Sequence, residues 1–154
     1  MKTIEISTHL NATPAQVQEH VGRSELLRYI TRGMIRFKPI DPPEFPEIWE
    51  PGRYKARMYW KGFLPVGWQS IGIEPQPMKG ETWSLRDNRH GGLIKTWDHM
   101  IEVAPDGEGS LYTDRIIVEA GLLTPFVALF AGRFYRHRQK RWRRLVDNGF
   151  DYSL

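Results

Sequence analysis

The sequence contains no cysteine among its 154 residues. This absence excludes disulfide bonds, thiolate chemistry and cysteine-ligated zinc sites, and it favours a reducing cytoplasm. Long apolar runs are missing too, since the longest, residues 122–132, is about half of the ~20 residues that span a bilayer. Residues 1–10 also lack the apolar core of a signal peptide. We therefore expect a soluble, cytoplasmic protein.

Motifs of the common catalytic and cofactor-binding sites are absent as well. The chain has no glycine-rich phosphate loop, serine elbow or paired-carboxylate signature. We find no metal-ligand spacing among His9, His20, His90 and His137, or between them and carboxylates. We therefore expect neither a metal site nor a cofactor, and any chemistry must come from isolated polar side chains.

Aromatic side chains, by contrast, are abundant. They make up 12% of the chain and include six tryptophans, so large apolar surfaces must be buried. Hydrophobic residues at 40% and charged residues at 26% are ordinary for a globular protein. The length is that of one domain, so we expect residues 1–154 to fold as a single unit.

The N-terminal part has clear strand and helix signals. Apolar and polar residues alternate over residues 2–8, which predicts a half-buried strand. Thr13 and Gln16 form a capping-box pattern, and Pro14 suits the first helical position. This short helix is followed by a second one, for which Ser24 is the predicted cap.

The rest of the chain predicts a strand meander closed by one long helix. Residues 39–51 hold five prolines, so we predict a stiff extended loop and no strand there. Alternating strand candidates then continue to residue 119, with a turn at His90-Gly91-Gly92. A final helix is predicted from a cap and proline at Thr124-Pro125 to a left-handed C-cap at Gly149. Strands followed by a covering helix are typical of an α+β fold.

The final helix has two different faces. Its apolar stripe is largely aromatic, whereas the opposite face is basic. Residues 124–148 hold seven Lys and Arg side chains against one acid, which accounts for the net charge of +4. A basic face predicts contact with nucleic acid or an anionic membrane; a solvated surface is the alternative. Because the aromatic side chains lie on the other face, base stacking and hence nucleic acid binding are disfavoured.

Four short motifs carry a family resemblance. They are the link Gly62-Phe63-Leu64-Pro65-Val66-Gly67-Trp68, the strand Trp97-Asp98-His99, the pattern Tyr112-Thr113-Asp114-Arg115, and Phe134-Tyr135-Arg136-His137-Arg138. With the element order, they resemble the SRPBCC or START-like helix-grip superfamily, which includes polyketide cyclases and the birch pollen allergen, and in it a bacterial ligand-binding branch of unknown function. The resemblance implies a curved antiparallel sheet, two short N-terminal helices and a long C-terminal helix across the concave face, with an apolar cavity between them.

The implied cavity has a predicted lining, and a plain filled core is the alternative for its aromatic members. The candidate ligand-binding residues are Tyr54, Met58, Trp60, Trp83, Trp97, His99, Arg115, Phe126, Phe130 and Phe134. His99 lies on the apolar side of its strand, where it either orients a ligand, acts as an acid or base, or is a satisfied structural residue. Asp114 and Arg115 are adjacent, so only one of them points inward, and Arg138 or Arg141 is expected to pair with Asp114.

Three functions fit these features. The first is binding of a small, mainly hydrophobic molecule such as a lipid, oriented by His99 and Arg115. The second is a polyketide cyclase or aromatase-like enzyme, in which His99 is the acid or base and Arg115 the oxyanion partner. The third is contact with a polyanion through the basic helix.

Overall fold

The computed structural model describes residues 1–91 and 94–154, without the side chains of residues 90 and 91. The predicted turn at His90-Gly91-Gly92 includes Gly92, which lies outside the described residues. The elements in chain order are β1 (Lys2–Leu10), α1 (Pro14–Val21), α2 (Ser24–Thr31), β2 (Ile35–Asp41), β3 (Gly52–Trp60), β4 (Leu64–Pro75), β5 (Trp83–Gly91), β6 (Ile94–Asp106), β7 (Gly109–Glu119), a 3₁₀ turn (Gly121–Leu123) and α3 (Thr124–Asp147).

The seven strands form one curved antiparallel sheet in the order β1-β7-β6-β5-β4-β3-β2. Strands β2 to β7 are neighbours in chain order, and β1 closes the far edge by pairing with β7. The long helix α3 packs most closely on β1, and it also contacts α2 and β7. The predicted α+β helix-grip architecture is therefore confirmed. In the part of the chain that the structure describes, no helix is both long and apolar enough to cross a membrane.

The two N-terminal helices begin differently. The capping box of α1 is confirmed, since the Gln16 amide donates to the Thr13 hydroxyl (3.3 Å) and the Thr13 amide donates to the Gln16 side chain (3.0 Å). The predicted cap at Ser24 is wrong, because Ser24 is already the first helical residue and is buried. Its backbone N–H donates to the carbonyl of Glu47 (3.1 Å), so the tertiary contact takes the place of a side-chain cap.

The proline-rich segment is partly a strand, contrary to the prediction. Strand β2 runs to Asp41, and within it Pro39 pairs with Ala56 of β3. A strand is possible here because β2 is at the edge of the sheet, where one side needs no ladder donor. Residues 42–51 lie outside the strands and helices, as predicted.

The ends of α3 are set by local hydrogen bonds. Thr124 is not a cap for α3, because its hydroxyl accepts from the Ala120 amide (2.9 Å) and donates to the Gly121 carbonyl (2.7 Å), which closes the preceding turn. The C-terminal prediction is confirmed: Gly149 has φ of +77°. The next amide, of Phe150, donates to the Leu145 carbonyl (2.8 Å), as in a Schellman motif.

The helix α3 is buried unevenly along its length. In its C-terminal half, Tyr135, Trp142 and Leu145 are fully buried against the sheet and α2. Near its N-terminus, Phe126 is 72% exposed, and Leu129 is also exposed. The C-terminal half therefore fixes the helix to the sheet, while the N-terminal half buries small residues such as Ala131 and leaves Phe126 and Leu129 in solvent.

Candidate functional site

A pocket of about 240 Å³ lies beneath the N-terminal half of α3, and we name it the outer pocket. Five of the predicted ligand-binding residues line it. They are Met58, Trp60, Trp97, Phe130 and Phe134. Four further apolar side chains complete the wall, namely Ile35, Phe37, Val66 and Ile94. The structure thus brings together half of the predicted set at the place where the helix leaves the sheet.

Strand pleating and helical spacing explain how these side chains meet. Met58 and Trp60 are two residues apart on β3 and share one face of the sheet. Phe130 and Phe134 are four residues apart on α3, with rings stacked at 5.7 Å between centroids. Phe130 also contacts Trp60, at 5.7 Å between centroids. An aromatic wall therefore joins helix to sheet along one side of the pocket.

The polar end of the outer pocket is Arg89 with Gln69. Arg89 is only 3% exposed; its Nε donates to Asp87 at 2.5 Å, and its Nη1 donates to the Gln69 side chain at 3.4 Å. Its guanidinium also lies over the Phe37 ring, 5.5 Å from the centroid. This arginine is not among the residues predicted from the sequence. The missed signal was strand alternation, because the face that carries Trp83 continues two residues at a time to Asp87 and Arg89.

A second, smaller cavity of about 40 Å³ lies in the interior, and we name it the inner cavity. Its volume holds about three water molecules. Arg89 lines both this cavity and the outer pocket, so the two spaces are neighbours. Its wall also includes the polar side chains of Asp87, His99, Tyr112 and Arg138.

His99 is buried beside the inner cavity and paired with a carboxylate. Its Nε2 lies 2.7 Å from Asp114 Oδ1, and the second Asp114 oxygen accepts from Gln139 of α3 at 2.9 Å. Gln139 also donates to the Ile6 carbonyl at 2.7 Å, so one amide ties the helix to two strands. The other imidazole nitrogen, Nδ1, has no hydrogen-bond partner within the described residues.

Burial sets the protonation of this pair. Burial lowers the pKa of His99 and outweighs the opposing effect of Asp114. Burial alone raises the pKa of Asp114, but the hydrogen bond from His99, the charge of Arg138 and the hydrogen bond from Gln139 together hold it below its ordinary value. We conclude that Asp114 is a carboxylate and His99 a neutral imidazole that donates from Nε2, which leaves Nδ1 as an acceptor.

Asp114 does contact α3, but the predicted partner, Arg138 or Arg141, is wrong. Gln139 makes this contact, and Arg141 instead donates to the Tyr29 carbonyl at 2.6 Å. Arg138 is 3% exposed and lies over the Tyr135 ring, 4.8 Å from the centroid. Its Nε and Nη1 find no acceptor among the residues that the structure describes.

Two predicted ligand-binding residues, Arg115 and Phe126, do not belong to the site. Arg115 points away from the interior because its neighbour Asp114 points inward. Its guanidinium pairs with Glu5 at 2.8 Å and with Glu102 at 2.5 Å on the other face of the sheet. Phe126 is directed to solvent, because the helix has already left the sheet at that point. Neither side chain lines the outer pocket as described.

Tyr54 and Trp83 lie outside both cavities. The Tyr54 ring is buried against Trp49, at 4.9 Å between centroids, and its hydroxyl donates to the Glu50 carbonyl at 2.8 Å. Trp83 is half-buried and packs on the core. Both therefore match the core-filling alternative. The described residues contain no cluster of three or more side chains suited to a metal ion.

Comparison with solved structures identifies the fold. The protein TTHA0849 from Thermus thermophilus matches with a TM-score of 0.69 and 13% identity, covering 97% of this chain and 100% of that one. A START superfamily protein from Mycobacterium smegmatis matches with a TM-score of 0.69 and 13% identity, over 95% of this chain and 97% of that one. Ara h 8.0201 matches at 0.67 and 11% identity, over 96% of this chain and 98% of that one.

These similarities confirm the predicted SRPBCC or START-like resemblance at the level of the fold. No protein-family model matches the sequence, and the search of curated proteins gives no significant match. The shared feature is thus the arrangement of sheet and helices.

Proposed function

We propose, from the START-like fold and the outer pocket, that this protein binds a small, mainly hydrophobic molecule between the sheet and the N-terminal half of α3. The observation that carries the proposal is the composition of the pocket wall. Nine of its eleven described lining residues are apolar, and the two polar ones, Gln69 and Arg89, lie together. An apolar wall with a few grouped polar side chains is the general pattern of small-molecule sites.

The size of the pocket limits the guest. At about 240 Å³ it is smaller than the roughly 300–1,000 Å³ of sites for drug-sized ligands. A guest that buries about 200 Å² of apolar surface gains roughly 5 kcal/mol from the hydrophobic effect, before the costs of association. We therefore expect ligands of modest size, and this apolar contact alone supports dissociation constants no lower than about 0.2 mM.

The surroundings of the pocket offer a path from solvent. Val66 belongs to the wall and is also exposed. Phe63 and Leu64 in the same part of the chain are exposed as well, as are Phe126 and Leu129 of α3. Groups of exposed apolar side chains are more common around binding sites than on the rest of a protein surface. These side chains support a ligand-binding role. The absence of cysteine supports the proposal that the protein works in the cytoplasm.

The two alternative functions receive less support. The cyclase or aromatase hypothesis assigned the oxyanion role to Arg115, which faces away from the pocket. The polyanion hypothesis rests on the basic face of α3, where Arg133, Arg136 and Lys140 are exposed. It stays a prediction, and binding to heparin that weakens steeply with salt is its test.

Fluorescence of N-phenyl-1-naphthylamine, a neutral apolar probe, tests the proposed function. We expect saturable binding by the native protein. Val66→Trp narrows the pocket from its exposed rim, so it weakens probe binding at least tenfold. Leu111→Trp is the matched control, because Leu111 is exposed on β7 and is not part of the described pocket wall. Equal probe binding by both variants contradicts the proposal, as does a native protein that does not bind the probe.

A further inference from the structure

The inner cavity contains a buried cation whose donors are not satisfied by the protein. Arg138 is 3% exposed, and the Nε and Nη1 donors lack a partner among the described side chains and backbone. An arginine stays charged in proteins. Leaving the buried donors of a charged group without an acceptor costs free energy, so an acceptor must come from water or from a ligand.

Each oxygen of the two nearby carboxylates already accepts one hydrogen bond. Asp114 accepts from His99 on one oxygen and from Gln139 on the other. Asp87 accepts from the Gly72 amide at 3.1 Å and from Arg89 at 2.5 Å. The donors of Arg138 therefore remain open although two acids lie in the same region of the interior. The formal charges of Arg89 and Arg138 balance those of the two acids, and the unpartnered N–H groups of Arg138 are the donors that an incoming acceptor would use.

The inner cavity adjoins the outer pocket at Arg89, which lines both. About 40 Å³ accommodates a group the size of a carboxylate and excludes a ring or a branched chain. The outer pocket, in contrast, has the volume and the apolar wall for a hydrocarbon body. The two spaces therefore fit the two ends of one amphipathic molecule.

We infer that the ligand of the outer pocket is a small amphipathic carboxylic acid, whose carboxylate enters the inner cavity and accepts hydrogen bonds from Arg138 and Arg89. The inference rests on the proposed function and adds the chemical class of the ligand. Guanidinium groups bind carboxylates through charge-assisted, often bidentate hydrogen bonds, which are stronger than those to neutral acceptors. A neutral alcohol of the same length lacks this contribution and binds more weakly.

Displacement of N-phenyl-1-naphthylamine by decanoic acid and by decan-1-ol tests the inference. For the native protein we expect decanoate to displace the probe at a concentration at least tenfold lower than decanol. Equal potency of the two compounds overturns the inference, because the inner cavity then holds water only. Failure of the probe and of both compounds to bind overturns the proposed function itself, so the two outcomes are distinguishable.

Arg138→Met provides the second measurement. It removes the charge but keeps an unbranched side chain, and the potency of decanol reports whether the variant is still folded. The tenfold advantage of decanoate is expected to disappear, whereas the potency of decanol stays within about twofold. Arg136→Met, on the exposed face of the same helix, is the control and keeps the advantage. An unchanged advantage in Arg138→Met overturns the inference.

Discussion

His99 Nε2 on β6 and Asp114 Oδ1 on β7 lie 2.7 Å apart, and both side chains are withdrawn from solvent. The two residues are diagonal neighbours on one face of the sheet, since His99 is directly opposite Ile116. Gln139 of α3 donates a hydrogen bond to the second oxygen of Asp114. A single hydrogen-bonded unit thus connects two strands and a helix, and it fixes which imidazole nitrogen carries the proton.

The buried imidazole makes stability depend on pH. Burial lowers the pKa of His99 below its ordinary value of 6.5, whereas the unfolded chain takes up this proton near pH 6.5. Below about pH 6.5 the unfolded state therefore binds more protons than the folded state. The free energy of unfolding then falls as pH falls, by up to ~1.4 kcal/mol per pH unit. Urea unfolding at pH 7.5, 6.5 and 5.5 measures this slope.

A matched pair of variants isolates the contribution of His99. Glutamine at position 99 can still donate to Asp114 but does not titrate, so His99→Gln has a shallower slope than the native protein. Partial burial, with a smaller contribution from the charge of Arg23, also lowers the pKa of His20, which accounts for part of the slope that remains. His9→Gln, at a side chain that is 47% exposed, is the control. If His99→Gln keeps the full slope, His99 is not neutral in the folded protein.

Gln139 is expected to be important for stability although the sequence gives no sign of it. Gln139→Met removes donors from Asp114 and from the Ile6 carbonyl, and both acceptors remain buried. Each lost hydrogen bond that leaves a buried group unsatisfied costs about 1–3 kcal/mol, so the total is about 2–6 kcal/mol. Urea unfolding measures it. Lys140→Met, the exposed neighbour, should change stability by less than about 0.5 kcal/mol; similar losses in both variants contradict the assignment.

The uneven burial of α3 predicts a large contrast between two phenylalanines. Phe134 is buried and stacked on Phe130, so Phe134→Ala is expected to cost about 3–5 kcal/mol of unfolding free energy. Phe126 is directed to solvent, so Phe126→Ala is expected to cost less than about 0.5 kcal/mol. Thermal or urea unfolding of the two variants checks the contrast. If both variants lose a similar amount of unfolding free energy, Phe126 is packed against other residues in solution and is not directed to solvent.

Binding of decanoate is expected to bring a proton with it. A carboxylate in the inner cavity faces the open Nδ1 acceptor of His99 and raises the pKa of this imidazole toward the assay pH. The other charged or titratable groups facing His99 from the adjoining strands and helix are Asp114, Asp87, Arg138 and Tyr135. Calorimetry in phosphate and in Tris at pH 7.5 reports the uptake as a buffer-dependent enthalpy. Identical binding enthalpies in the two buffers contradict the predicted proton uptake. His99→Gln, which has no imidazole at this position, is the control.

The element order and the motifs of the sequence predicted the fold, and the candidate list contained five of the nine apolar residues of the pocket wall. Period-two and helical spacing place Met58, Trp60 and Phe130 on inward faces, and these side chains do meet. The same periodicity failed at Phe126, because it gives the direction of a side chain but not where the helix leaves the sheet. For Asp114 and Arg115, alternation requires opposite faces but does not say which residue is inside.

The polar interior was the part that could not be predicted. Alternation places Arg89 on an inward face, but Gln139 is an ordinary surface residue type, and its burial depends on partners distant in the chain. Gln139 reaches Asp114 across 25 positions and Ile6 across 133 positions of sequence. Such networks are defined by tertiary packing, so a local pattern carries no signal for them.

The separate environments of the two halves of α3 have a consequence for how such a protein diversifies. Substitutions around Trp142 and Leu145 act on folding, whereas under the proposed function substitutions around Phe130 act on which molecules fit. Natural selection can therefore alter guest preference in one stretch of the helix while the other stretch preserves a foldable chain.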